Sequence, residues 1–296
     1  MKGWADGLWG ARDQYTVCMI LSTASPMLAP GGALLLVTAA ALLYLLAAWP
    51  LAALRRLSAA ALLGGFVLHA LLLIVDIGGL GQPLPGARLG FGPVLSMTAW
   101  LVIAVYAIES RLVPLPSVRK WLGAVGVVAV ALAALFPGDP KVMTSALGPL
   151  HFALGVGSYG LFGAAVLHAA MLDAAERRLR SAAPGAARAP GAPAQGLPLL
   201  HLERLTFRFV EAGFATLTAT LVLGIVNTLH WRWTDHKAVF SLLAWGVFAA
   251  LLLGRHLRGW RGRQATGWLY VGAVLLLLAY AGSRFVVEVL LGRGAQ

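Results

Sequence analysis

Long apolar runs follow one another along the whole chain, and they constrain this sequence more than any other feature. Each run holds about twenty residues with few or no charges, which as a helix is enough to cross a hydrocarbon core of roughly 30 Å. Of the 296 residues, 59% are hydrophobic and 11% are charged, whereas an average soluble domain carries about 25% charged residues. The sequence therefore predicts an all-α, polytopic membrane protein.

The same residues exclude several other classes. Transmembrane β-barrels are built from segments of about ten residues with alternating polarity, and the runs here are continuous. Cys18 is the only cysteine, which excludes an internal disulfide, a CxxC redox pair and a thiolate metal cluster. The net charge of +12 comes from basic residues in short loops beside the apolar runs, where they report membrane orientation. We therefore expect no nucleic-acid partner.

The apolar runs divide into about eight predicted transmembrane helices within one domain, residues 31–291. Their approximate bounds are 31–53, 57–79, 91–112, 119–137, 148–173, 205–229, 237–256 and 266–291. An Ala/Pro/Gly-rich segment from Ser181 to Leu200 is typical of a flexible linker, so we expect a cytoplasmic linker at about 174–203 that separates five helices from three. Residues 1–30 form an N-terminal extension that lacks the apolar core of a signal peptide, and Met19 is an alternative start.

The distribution of Lys and Arg predicts how the chain crosses the membrane. Fifteen of the 23 lie in the loops after the first, third, fifth and seventh runs, seven lie on the opposite side, and Arg284 lies within the last run. Positive charge is enriched on the cytoplasmic side of membrane proteins. We therefore expect both termini, and the loop before the seventh run, on the periplasmic side of a bacterial inner membrane.

The seven histidines fall at different predicted depths. His69 lies about 18 Å into the second run, close to the midplane. An ionisable group at that depth is costly unless it faces a partner inside the bundle, so His69 is either a cofactor ligand or proton-handling group, or a hydrogen-bonded contact between helices. His168, His201 and His256 are predicted to be interfacial polar residues near the cytoplasm, whereas His151 begins the fifth run at the outer surface.

The densest polar and aromatic chemistry lies in the loop before the seventh run, which reads HWRWTDHK. Its chemistry-bearing side chains are His230, Trp231, Trp233, Asp235 and His236. Interfacial tryptophans and loop charges are common in membrane proteins, but they do not account for two imidazoles beside an aspartate. Imidazole ligates haem iron, aromatic rings stack on a planar macrocycle, and cations pair with propionates. The loop therefore indicates either a haem-binding site or an ordinary interfacial segment.

Arg284 lies four residues before Glu288 in the last run. This spacing places both side chains on one helix face. It favours a self-neutralising ion pair, with propionate binding by Arg284 as the alternative.

These pieces resemble the cytochrome c assembly family, membrane haem-handling proteins of the CcsA/CcmC type. The family has a tryptophan-rich signature, W-x-W-D-P-K-E, then a helix with a Trp and a Phe, and then a basic GW-x-G turn. The matching residues here are Trp231, Trp233, Asp235, Lys237, Trp245, Phe248 and the segment 259–262. The segment HFALGVGSYGLF, which begins at His151, resembles the family's H-x(6)-SY helix start. The likeness covers about residues 31 to 291.

The signature departs from the family pattern at three positions and the chain at one more. Thr234 is inserted before Asp235, His236 stands in place of the proline, and Ala238 stands in place of the glutamate. No histidine follows in the last external segment, where the family carries the second ligand of its outer haem. This pattern resembles the shorter, YpjD-like inner-membrane branch. The resemblance implies His151 as one iron ligand. We take His236 or His230 in place of the other because the charge distribution predicts that all three histidines lie outside.

The resemblance implies an inner-membrane protein that binds or presents haem for cytochrome complex assembly at the periplasmic face. Its implied partners are haem, apocytochrome c or other assembly proteins, and membrane lipids. Because the chain offers no nucleophile, acid pair or metal triad beyond its histidines, we expect an accessory component rather than a stand-alone catalyst. The missing outer histidine favours the alternative of a non-catalytic partner that regulates or stabilises another membrane protein, such as an ion transporter. A secondary transporter is disfavoured because the runs are largely unbroken.

Overall fold

The computed structural model describes residues 30–49, 55–77, 87–111, 116–138, 140–141, 145–181, 199–227 and 236–286. Within these ranges the chain forms a bundle of eight principal helices. They are α1 (Pro30–Ala48), α2 (Arg55–Ile77), α3 (Phe91–Glu109), α4 (Pro116–Leu135), α5 (Gly148–Ser181), α6 (Leu199–Asn227), α7 (His236–Arg258) and α8 (Gly262–Leu277). The last helix continues through a π-helical segment, Leu278–Gly282, into a final turn, α9 (Ser283–Phe285).

Seven of these helices are long and apolar enough to cross a membrane. The remaining one, α1, has a shorter apolar stretch, Leu34–Ala48. Large apolar side chains such as Leu35 and Val226, each 70% exposed, cover the outside of the bundle, as expected where lipid replaces water. The predicted all-α, polytopic membrane bundle is confirmed.

The bounds of the helices differ most from the prediction around the linker. Helix α5 continues to Ser181, past the predicted end at 173, and α6 begins at Leu199, before the predicted start at 205. Residues 182–198 lie outside the described ranges, as do residues 1–29 and 287–296, so the linker and the placement of both termini stay predictions.

Successive helices run in opposite directions, so the starts of α3, α5 and α7 meet the ends of α6 and α8 at one end of the bundle. We call this the His151 end. A short antiparallel pair, β1 (Ala87–Arg88) with β2 (Pro140–Lys141), aligns Ala87 with Lys141 and joins the connections that follow α2 and α4 at this end. The opposite end, where Arg111, Arg119, Arg255 and Arg261 lie, is the arginine-rich end.

Two buried clusters hold the bundle together. One is built from α1 to α4 around Tyr44 and Ile103. The other is built from α5 to α8, where the rings of Phe162 and Phe248 stack 3.8 Å apart and 9° from parallel. Helix α5 therefore shares its core with the three helices that follow the linker, while its Leu167 also contacts the first cluster.

The GWRG segment forms the tight turn between α7 and α8 at the arginine-rich end. Gly259 and Gly262 have φ of 64° and 56°, a region that side chains other than glycine adopt at a cost. The turn aims Arg261 at Glu203 of α6, where its Nε and Nη2 donate hydrogen bonds of 2.8 Å to the two carboxylate oxygens. This bidentate bond raises the pKa of the Arg261 guanidinium. Arg255 donates a third hydrogen bond, of 3.2 Å, to the same carboxylate.

Replacing Gly259 with alanine should lower the free energy of unfolding by about 1 kcal/mol, because the residue must keep a left-handed backbone. No atom lies within 4 Å of an added Cβ at this position, so the loss reports the backbone alone. Gly246, within α7, is equally open and serves as the matched control. There alanine should leave stability unchanged or raise it, since it favours the helix by up to about 1 kcal/mol. Unfolding in mixed detergent micelles measures both, and an equal effect of the two variants would contradict the turn geometry.

Candidate cofactor site at the His151 end

A cavity of about 430 Å³ opens between α5, α6, α7 and the π-helical segment. This volume lies within the roughly 300–1,000 Å³ that is typical of small-molecule sites. Its polar lining comes mainly from His151, Ser158, Tyr159, Thr220, Lys237 and Tyr280, and the remaining walls are largely apolar. We call it the His151 cavity.

His151 lies in the first turn of α5, half-buried, with its ring at the cavity wall. Its Nδ1 lies 3.0 Å from the backbone carbonyl oxygen of Thr220 on α6. A carbonyl oxygen only accepts, so Nδ1 carries the hydrogen and donates it. In the neutral ring this leaves a lone pair on Nε2, for which the described residues provide no hydrogen-bond partner. One hydrogen bond thus fixes both the orientation and the tautomer of the imidazole.

Two tyrosines that line the cavity are hydrogen-bonded close to the π-helical segment. The hydroxyl of Tyr159 donates to the backbone carbonyl of Leu276, one residue before α8 ends. The hydroxyl of Tyr280 donates to the carbonyl of Leu89 at 2.6 Å. π-helical turns occur often at functional sites, and here the wider turn carries Tyr280 to the cavity wall.

Among the residues that the structure describes, the cavity lining holds one cation, Lys237, and no carboxylate. Lys237 Nζ lies 6.0 Å from the centre of the Tyr280 ring, and the Arg284 guanidinium lies 5.6 Å from it. Two cations therefore flank one aromatic wall of the site, an arrangement that suits a flat anionic ligand.

The structure describes only part of the residues predicted to form the site. His230, Trp231, Trp233 and Asp235 lie outside the described ranges. His236 is exposed as the first residue of α7, and its neighbour Lys237 lines the cavity together with His151. Arg284 is buried and lies beside Tyr280, while Glu288, its predicted ion-pair partner, falls outside the described part of the chain.

His69 lies away from this cavity, in the α1–α4 half of the bundle. It is 1% exposed, with Nδ1 3.0 Å from the Tyr44 hydroxyl and Nε2 2.6 Å from the Ser96 hydroxyl. Both ring nitrogens therefore have partners on neighbouring helices. A role as a cofactor ligand stays a prediction, and it would require one of these two contacts to break.

His168 is buried, whereas the sequence predicted an interfacial polar residue. Its Nδ1 donates to the Ala164 carbonyl at 2.8 Å, and its Nε2 lies 2.9 Å from a carboxylate oxygen of Glu109. Both ring nitrogens of His168 therefore have partners within the bundle. The contact with Glu109 joins α3 to α5. His201 and His256 are exposed, as expected.

Sequence reasoning missed Thr220 and Tyr280 as parts of the site. Thr220 binds His151 through its backbone carbonyl, and the type of a residue does not predict which partner its carbonyl meets. Tyr280 gave no signal either, because it lies near the middle of the predicted last run, 266–291. Both belong to the cavity only because distant helices meet at the His151 end.

The contacts of His69 predict a structural cost when the ring is removed. His69→Ala should lower the free energy of unfolding by roughly 1–3 kcal/mol, because it leaves two buried hydroxyls without their partner. The matched control is His256→Ala, at an exposed position, which should have no measurable effect. Unfolding in mixed micelles measures both variants, and an unchanged stability of His69→Ala would show that the described contacts contribute nothing.

Comparison with known proteins shows which family shares these features. The family model described as cytochrome C assembly protein matches residues 34–291. A relative from Escherichia coli K12, named inner membrane protein YpjD, is 29% identical over 246 residues, which are 80% of this chain and 88% of the relative. A Gloeobacter violaceus protein named cytochrome c biogenesis protein CcsA is 34% identical over 92 residues, 29% of this chain and 27% of its own length. No solved structure matches significantly.

The family match spans most of the chain and includes the described helices that build the His151 cavity. The same chain has seven described helices able to cross a bilayer and resembles a protein named as an inner membrane protein. It is therefore a multi-pass inner membrane protein that belongs to the cytochrome c assembly family.

Proposed function

We propose that the chain binds haem in the His151 cavity and presents it at the periplasmic face during cytochrome c assembly. The observation that carries this proposal is the imidazole of His151, whose Nδ1 is tied to the Thr220 carbonyl. Histidines that ligate metals commonly donate their other ring hydrogen to such an acceptor, which fixes the tautomer and raises the basicity of the ligating nitrogen. His151 is thus prepared as an axial ligand.

The donor set of the cavity suits haem better than a bare metal ion. Among the described residues, no three His, Cys, Asp or Glu side chains come together to hold an ion. A single imidazole suffices only for a metal that brings its other ligands, as porphyrin iron does. Apolar walls accept the macrocycle, and Lys237 at the cavity, with Arg284 beside Tyr280, is suited to pair with propionates.

Bound haem is the cargo in this proposal, and it supplies the iron that the imidazole ligates. The second axial position falls to His236, the first residue of α7, or to His230, which precedes it in the sequence within the tryptophan-rich segment typical of the family. Trp231, Trp233 and Asp235 of that loop are then suited to contact the exposed edge of the macrocycle. These roles for the histidines, tryptophans and aspartate follow from the resemblance. The structure supports them because His236 is the sequence neighbour of Lys237, which lines the His151 cavity.

The periplasmic orientation rests on the excess of Lys and Arg at the other end of the bundle. An apocytochrome c outside the membrane is the partner this implies, because relatives named for cytochrome c biogenesis share part of the chain. No described residue of the cavity is arranged as a nucleophile with its base, so the proposal assigns binding and delivery to this chain rather than the attachment reaction.

Haem titration of the purified protein in detergent tests the site. The wild type should develop a Soret band, and His151→Ala should weaken haem binding by roughly tenfold or more and shift the band, since second-shell changes alone cost about 10–100-fold at metal sites. Added imidazole should restore the band of His151→Ala. The matched control is His201→Ala, at an exposed position on the arginine-rich end, which should behave as the wild type. A wild type without a Soret band, or a His151→Ala variant with an unchanged band, would overturn the proposal.

A second candidate function is a non-catalytic partner of another membrane protein, such as an ion transporter. The absence of any histidine after His256 favours it, because the family's second outer ligand is then missing. A deletion strain discriminates between the two functions. Haem presentation predicts reduced haem staining of c-type cytochromes, restored by the wild-type gene but not by His151→Ala. Normal staining with altered tolerance to metal ions would favour the regulatory partner instead.

A further inference from the structure

A second cavity, of about 370 Å³, lies at the arginine-rich end between α2, α3 and the start of α4. It extends along α3 from Ile103 to Ser110 and along α2 from Ala59 to Phe66. Seven helical residues rise about 10 Å, so the cavity reaches from the end of the bundle most of the way through one leaflet of roughly 15 Å. We call it the Arg111 groove.

The groove exists because small side chains stand where the two helices would otherwise interlock. Ala59 and Ala60 of α2 face it, as does Ala107 of α3. Its inner limit is rigid, since the Phe66 ring stacks on Trp100 at 4.7 Å and the Trp100 indole donates a 3.1 Å hydrogen bond to the Phe66 carbonyl. Leu62, Leu63 and Ile103 form apolar walls, and Tyr106 and Ser110 also line the groove.

Two guanidinium groups stand at the mouth of this apolar groove. Arg111, just beyond α3, is exposed, and Arg119, in the first turn of α4, is half-buried. Among the described residues neither forms an ion pair with a carboxylate, and the nearby Glu109 is engaged by His168. The groove therefore combines an apolar interior with two positive charges at its mouth.

Lys120 shows what an ordinary interfacial cation does at the same end. Its Nζ lies 5.6 Å from the ring centre of the adjacent Trp121, both side chains are exposed, and neither lines the groove. Arg111 and Arg119 differ because a shared cavity lies between them.

We infer that the Arg111 groove binds an anionic phospholipid of the leaflet at the arginine-rich end. The lipid phosphate lies between Arg111 and Arg119, whose planar guanidinium groups suit paired hydrogen bonds to phosphate oxygens. One acyl chain lies along Leu62 and Phe66. Basic pockets between transmembrane helices on the cytoplasmic side are known to take anionic headgroups, and positive-inside bias assigns this end to the cytoplasm. This inference is independent of haem binding.

Native mass spectrometry of the full-length protein in detergent tests the site. The probes are phosphatidylglycerol and phosphatidylethanolamine with identical acyl chains, added separately and in competition. The wild type should retain phosphatidylglycerol in preference, and Arg111→Gln/Arg119→Gln should reduce that preference roughly thirtyfold, as the loss of two charge contacts of about 1 kcal/mol each predicts. The matched control, Lys120→Gln/Arg258→Gln, removes two charges from the same end at exposed positions outside the groove and should leave the preference unchanged.

A second variant keeps the test informative if the double variant fails to fold. Ala60→Leu fills the apolar interior while leaving both arginines in place, so it should weaken retention of phosphatidylglycerol. Equal retention of the two lipids by the wild type, or an equal loss in the control, would overturn the inference. So would binding of inorganic phosphate alone that depends on Arg111 and Arg119 and survives Ala60→Leu, because the ligand would then be a free anion.

Discussion

Hydrocarbon supplies no hydrogen bonds, so every polar group inside a lipid-embedded bundle must find its partner within the protein. This requirement accounts for the polar interior of the chain. The ring of His69 bridges the hydroxyls of Tyr44 and Ser96, and His168 pairs with Glu109. Each contact joins residues far apart in sequence and thereby fixes which helices are neighbours. A polar side chain that would destabilise the bundle if it had no partner instead holds two helices together.

The same requirement gives His151 a different role. Its Nδ1 is satisfied by Thr220, and the residue lines a cavity whose other walls carry Lys237 and Tyr280. The cavity lies where alternating helix directions bring three helix starts to two helix ends, and the π-helical segment completes it. A family of cytochrome c assembly proteins, to which the chain belongs, gives this geometry its most direct interpretation. In the proposed function the imidazole ligates the iron of haem, the aromatic wall contacts its ring and the cations pair with its propionates.

The sequence predicted the helices well because runs of apolar residues are what a bilayer selects, and all eight principal helices overlap the predicted runs. It failed where hydropathy carries no information. The end of α5 reads AAERRLRS, which is charged and yet helix-forming, so the apolar period stopped at 173 while the helix continued to Ser181. Signature residues identified the loop before α7 and the start of α5 as candidate regions. The carbonyl of Thr220 and the ring of Tyr280 became visible only in three dimensions, because nothing in a linear pattern reports which distant helix supplies a backbone acceptor.

The central claim is that His151 Nε2 is the atom that receives the iron. An experimental density map of the haem-loaded protein in a lipid nanodisc measures this most directly. The account predicts macrocycle density in the His151 cavity, with the iron in coordination contact with His151 Nε2 and Nδ1 still bonded to the Thr220 carbonyl. Haem bound elsewhere in the bundle, or an imidazole of His151 turned away from the iron, would contradict it.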